Sequence, residues 1–182
     1  LTPAVFSEVR TQPVPYHHGD VQLEGFLAYD DAQHGPRPGV LVIHEWWGLN
    51  EYSKSRARQL AQLGYVAFAL DMYGSGKATT DPKEAQVCSG HFQGNTQLLR
   101  DRAKAGLDVL AKHELVDPAR LAAIGYCFGG TTAMELAYSG ADLRGIVSFH
   151  GAPADPKPED APHVKAKLLI CHGADDPMIP SE

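Results

Sequence analysis

Three groups of residues in this chain could do chemistry together. Cys127 lies in Gly125-Tyr126-Cys127-Phe128-Gly129, between an apolar run at 121–124 and a segment with Ala133, Leu136 and Ala137 at helical spacing. Strand, tight turn, then helix is the context of the nucleophile elbow G-x-S-x-G, here with a thiol in place of the hydroxyl. Such a turn strains its central residue, and side chains two positions to either side would collide, so glycine is required there. The helix start behind Cys127 offers free backbone N–H groups and a positive dipole end, which favour thiolate and can hold an oxyanion. The plain alternative is a cysteine packed as a small apolar residue after a strand.

The second group, His44-Glu45, directly follows the apolar run Gly39-Val40-Leu41-Val42-Ile43. A carboxylate in that position is costly unless it is paired. The third, Asp175-Asp176, follows a further apolar run at 168–172. A thiol nucleophile needs a base, and an acid to orient that base. In an α/β-hydrolase the order along the chain is nucleophile, acid, histidine. Cys127 and Asp176 fill the first two places, and 177–182 holds no histidine.

The elements that must position these groups can be read coarsely. Residues 9–14 and 21–29 form an antiparallel hairpin, and 39–43 a central strand buried on both faces. A helix at 53–63 has Ala57, Leu60 and Ala61 inward and stops at Gly64; a strand follows at 65–70. Residues 74–82 are loop. Leu99, Ala103, Leu107, Leu110 and Ala111 mark a long amphipathic helix ending near His113. After the elbow come strands at 145–149 and 168–172, separated by a proline-rich loop at 153–162. Alternating strands and helices predict an α/β fold, a mostly parallel sheet with helices on both faces and an N-terminal antiparallel hairpin. In such a sheet ligands sit at the carboxyl ends of the strands, which is where all three groups fall.

Composition restricts the alternatives. The 182 residues suffice for a single domain, 1–182, with a sizeable core. Net charge is −6, which argues against nucleic acid or an anionic membrane as partner. The longest apolar runs, such as 65–70, are too short to span a bilayer. No signal peptide stands at the start, though the first residue is Leu1, compatible with a leader already removed. Cys88, Cys127 and Cys171 lack paired spacing, so a reducing, cytoplasmic setting is expected. Gly74-Ser75-Gly76-Lys77-Ala78 fails as a P-loop, with Asp71 in place of the first glycine and Ala78 in place of Ser/Thr. His44-Glu45, His17-His18 and Cys88-x-x-His91 lack partners for a metal site, so no metal or cofactor is expected. His150 ends a strand near the site; a hydrogen-bonded strand-end histidine is the favoured reading, contact with the site the alternative.

Over almost its whole length the chain resembles the dienelactone hydrolase family of α/β-hydrolases. The segments that carry this are HEWWGLN (44–50), GYVAFALDMYG (64–74), RLAAIGYCFGG (120–130) and HGADDPMIP (172–180). The resemblance implies an esterase or lactonase with a Cys–His–Asp triad, Cys127 as nucleophile and Asp176 as the acid, Asp175 being the fallback. It also implies that Glu45 interacts with the resting thiol until substrate displaces it. The backbone N–H groups of Trp46 and Phe128 would be oxyanion donors, with Trp46, Trp47 and Tyr73 lining the pocket. The family's histidine follows one more strand, so the chain is expected to stop before the C-terminal strand, histidine loop and final helix. The arginine with which dienelactone-cleaving members hold a carboxylate is missing after Tyr73; Lys77 is nearby but is no bidentate replacement. The expected partner is a small-molecule ester or lactone. The competing functions are a non-catalytic binding module on the same fold and a thiol redox sensor at Cys127. Cys127 is expected to rest protonated, with the Glu45 carboxylate outweighing the helix end.

Overall fold

The computed structural model describes residues 8–92, 94–154 and 157–179. β1 (Val9–His18) and β2 (Val21–Asp30) pair antiparallel in register from Val9–Asp30 to His18–Val21. That leaves Gly19-Asp20 as a two-residue turn, with Gly19 at φ 58°. The hairpin arm therefore runs to His18, four residues past its expected end. β3 (Arg37–Ile43), β4 (Val66–Ala69), β5 (Val116–Tyr126), β6 (Gly145–Phe149) and β7 (Lys167–Cys171) complete a seven-stranded sheet in the order β1-β2-β4-β3-β5-β6-β7. β2 meets β4 antiparallel, and every pair from β4 to β7 is parallel. This is the α/β-hydrolase arrangement with its N-terminal antiparallel strands.

Residues along β3 are apolar on both sides because both sides are covered. Leu41 and Ile43 join Leu107, Leu110 and Met134 in the larger core, while Val42 joins Ala57, Ala61 and Ala67 in a smaller one. The larger core is covered by α3 (Thr96–Ala111) and α4 (Phe128–Tyr138), the smaller by α1 (Glu51–Gln62). The chain leaves β3 through α1 to β4 on one side, then crosses back to β5 on the other. The order reverses at β3, so a crevice opens at the carboxyl ends of β3 and β5.

Two further elements differ from the sequence expectation. α2 (Pro82–Gly90) was not apparent, because it buries only Ala85, Cys88 and Ser89 and carries almost no apolar stripe. Its start does follow local rules: the Asp81 side chain accepts the Lys83 N–H at 2.9 Å, and Pro82 opens the first turn. β5 begins five residues before the apolar run, with a register shift opposite Pro38 and Gly39 that accommodates Pro118, Ala119 and Arg120.

Candidate active site

Cys127 sits between β5 and α4 with φ 53° and ψ −118°, a conformation that costs a non-glycine residue roughly 1–3 kcal/mol. Its neighbours hold it there. The Cys127 N–H donates to the Phe149 carbonyl at 2.9 Å, and its carbonyl accepts from Gly130 at 2.8 Å and Thr131 at 3.2 Å. A Cβ on Gly125 would collide with the Gly129 carbonyl, and one on Gly129 with the Ile43 carbonyl. The two elbow glycines are thus required by close backbone approach, as their spacing predicts.

The half-buried thiol has its pKa pushed up. Burial is the largest cause; Glu45 and Asp176 push the same way, while the Phe128 backbone N–H opposes them. The direction matches expectation, but the ranking does not. Desolvation, rather than the Glu45 charge, is what chiefly keeps the sulfur protonated.

The loop after β3 is pinned from β4. His44, 1% exposed, accepts the Met72 N–H on Nε2 at 3.2 Å, and its Nδ1 lies 2.5 Å from the Glu45 carbonyl. This network assigns the proton to Nδ1. Burial pushes the His44 pKa down, so the ring is neutral. One residue on, the Tyr73 hydroxyl donates to the Trp46 carbonyl at 2.9 Å, and burial drives its ionisation far up. Tyr73 is in turn fixed by Asp71, fully buried, whose carboxylate accepts backbone N–H groups from Glu24, Tyr73, Gly74 and Gly76 at 2.8–3.2 Å. His44 and Asp71 were not singled out from sequence as positioning groups. A buried polar residue at each strand exit was the available signal.

Asp176 holds the turn that follows it through one carboxylate oxygen. Oδ1 accepts the N–H groups of Met178 at 2.8 Å and Ile179 at 3.2 Å; these bonds, Met178 first, hold its pKa below the usual carboxylate range. Oδ2 lies 3.6 Å from His150 Nδ1, beyond direct hydrogen-bond distance. Asp175 is exposed. Pro180, the end of the motif around Asp176, lies outside the described residues. His150 has φ 44°, and its backbone N–H donates to the Cys171 carbonyl at 2.8 Å.

A cavity of about 650 Å³ opens over these groups. Glu45, Trp46, Trp47, Cys127, Phe128 and His150 line it, with Phe92, Leu99, Met178 and Ile179 adding apolar wall. Tyr73 and Asp176 stand behind that wall: Tyr73 props Trp46 rather than facing the cavity, and Asp176 shapes the turn bearing Met178 and Ile179. Lys77 is directed elsewhere, pairing with Glu84 at 3.1 Å. Glu135 also lines the cavity, but Arg100 engages it at 2.8 Å while gripping Asp160 at 2.7 and 3.1 Å.

The similarities to known proteins follow this geometry. The model of the dienelactone hydrolase family matches residues 23–182. Protein usf of Aquifex pyrophilus is 31% identical over 173 residues, covering 92% of this chain and 73% of its own. The solved structure m3DLH is 43% identical with a TM-score of 0.91, and the dienelactone hydrolase-like promiscuous phosphotriesterase P91 from metagenomic libraries is 40% identical with a TM-score of 0.92. Each covers 95% of this chain and 72% of that chain. A thiol on a glycine-bounded elbow, in a sheet of this order and with matches along most of its length, leaves one assignment: the chain belongs to the dienelactone hydrolase family.

Proposed function

We propose that the protein hydrolyses an ester or lactone bond of an uncharged small molecule, with Cys127 as nucleophile. The observation that carries this is Cys127 itself, strained onto an elbow and opening into an aromatic cavity beside Glu45. An imidazole oriented by Asp176, which the family resemblance assigns to a later loop, takes the thiol proton. The thiolate forms a bond to the carbonyl carbon, and the backbone N–H groups of Phe128 and Trp46 receive the oxyanion. The tetrahedral intermediate expels the alcohol, which leaves with that proton. Water then attacks the thioester, releasing the acid and restoring the thiol.

Glu45 belongs to the resting state. A carboxylate on the cavity wall opposes thiolate until substrate moves it. The substrate class follows from the lining: aromatic and aliphatic walls, with Glu135 engaged by Arg100, suit an uncharged acyl group. A phosphotriester, the class named for the 40% identical structure, is also uncharged and belongs in the substrate panel.

The test is stopped-flow hydrolysis of p-nitrophenyl esters by wild type and Cys127→Ala. A nitrophenol burst and turnover in wild type, both lost in the variant, are expected. Binding without turnover in wild type would instead support the binding-module reading.

A further inference from the structure

Beyond the cavity over Cys127 lies a second cavity of about 710 Å³, and the two share Glu45 and Trp47 as a common wall. Its other side is formed by Asn50, Tyr52, Ala78 and Thr80.

This cavity is built by two loops locked together. Gly48 forms a β-bridge with Ala78, and the Thr79 N–H donates to the Trp47 carbonyl at 2.9 Å. Gly48 has φ 86°, and a Cβ there would strike the Lys77 carbonyl, so the approach tolerates only glycine. Thr79 is held further, its hydroxyl donating to Glu84 at 2.7 Å and accepting the Asp81 N–H at 3.1 Å.

Both spaces are mainly apolar, and each carries polar groups. In the first, Ser89, Thr96, Thr131 and His150 stand among aromatic and aliphatic walls. The second offers the Asn50 amide NH₂, since Asn50 Oδ1 already caps α1 through Ser53, together with the Tyr52 and Thr80 hydroxyls. The Tyr52 oxygen accepts from Arg56 at 3.1 Å, which leaves its own proton to donate. Glu45 adds an acceptor and repels anions.

We propose that this second cavity is a subsite for a neutral, hydroxyl-bearing portion of the substrate, so that the ester spans the Glu45–Trp47 wall with its apolar portion over Cys127. The proposal rests on the assignment of Cys127 as nucleophile and adds the class of group that lies across the scissile bond from the apolar one.

The test compares three principal substrates, the two hydroxylated ones each beside a hydroxyl-free control: p-nitrophenyl butyrate, glyceryl phenylacetate with hydroxyls on the alcohol side, and phenyl glycerate with hydroxyls on the acyl side. Wild type should prefer one of the two hydroxylated esters over its hydroxyl-free counterpart, propyl phenylacetate or phenyl propanoate. Ala78→Trp obstructs the cleft and should raise KM for that ester about tenfold, while kcat/KM for p-nitrophenyl butyrate changes less than about twofold. Thr80→Val removes one donor without adding bulk and should act in the same selective direction. Equal losses on all three substrates, or no wild-type preference for either hydroxylated ester, would overturn the subsite. Failure of the nucleophile assignment would look different: p-nitrophenyl butyrate turnover would survive Cys127→Ala.

Discussion

The His44 ring accepts the Met72 N–H at 3.2 Å and so ties the exit of β3 to the exit of β4. Its other nitrogen meets the Glu45 carbonyl, which makes His44 the joint on which the Glu45–Trp46 loop turns. Because it is buried and neutral, it also makes a pH-dependent contribution whose sign can be worked out.

The folded-state pKa of His44 is lowered from the ordinary value of 6.5. Below that value the unfolded chain takes up a proton that the folded chain refuses. Stability should therefore fall as pH drops below about 6.5, by up to about 1.4 kcal/mol per pH unit until the folded pKa is reached. Urea unfolding of wild type and His44→Gln across this range checks it, with a shallower acid slope expected in the variant. His44→Ala should also lower kcat, because the Glu45 carbonyl loses its donor, and Gln should restore much of it. Identical acid slopes in wild type and His44→Gln would remove His44 from this role.

Asp176→Asn should lower kcat by roughly 10²- to 10⁴-fold, since the wrong imidazole tautomer results. Asp175→Asn, at an exposed position, should leave kcat within about twofold. Steady-state kinetics on one p-nitrophenyl ester separates them, and a larger loss at Asp175 would move the acid by one residue.

Much of this was legible in the chain and some was not. The unbroken apolar run of β3 and the glycines around Cys127 follow from local sterics, which sequence spacing records. Asp71 and His44 are different, because their partners, the backbone N–H groups of Glu24 and Met72 and the Tyr16 hydroxyl, are brought to them by the fold. Asp71 also has its carbonyl and N–H bonded by the Tyr16 hydroxyl at 2.9 and 3.0 Å, a contact 55 residues away in sequence. Tyr73 stands beside the site as an aromatic residue there should, but its effect passes through the Trp46 carbonyl. Nothing in its spacing could distinguish lining from propping.

Burial and Glu45 both raise the Cys127 pKa, burial more. The thiolate fraction at neutral pH is thus below that of an ordinary cysteine, and iodoacetamide labelling should rise steeply toward alkaline pH. Glu45→Gln should shift the labelling profile to lower pH while leaving it above that of a free thiol, because the desolvation remains. Peptide mass spectrometry at Cys127 gives the rate, and superimposable profiles would deny Glu45 any hold on the resting thiol.

His150 lines the cavity without a direct hydrogen bond to Asp176. His150→Gln should change KM for p-nitrophenyl esters more than kcat, with kcat falling less than about tenfold. A loss of about 10³-fold or more, the scale seen when a triad base is removed, would make His150 the base itself.

The central claim is that Cys127 carries the acyl group. The most direct measurement is rapid acid quench of the intact protein during turnover of p-nitrophenyl acetate, with intact-mass and peptide analysis. One acetyl group on Cys127, absent at Cys88 and Cys171, formed within the nitrophenol burst and lost as substrate is exhausted, is the predicted result. Full turnover with Cys127 never acylated, or undiminished turnover in Cys127→Ala, would contradict it.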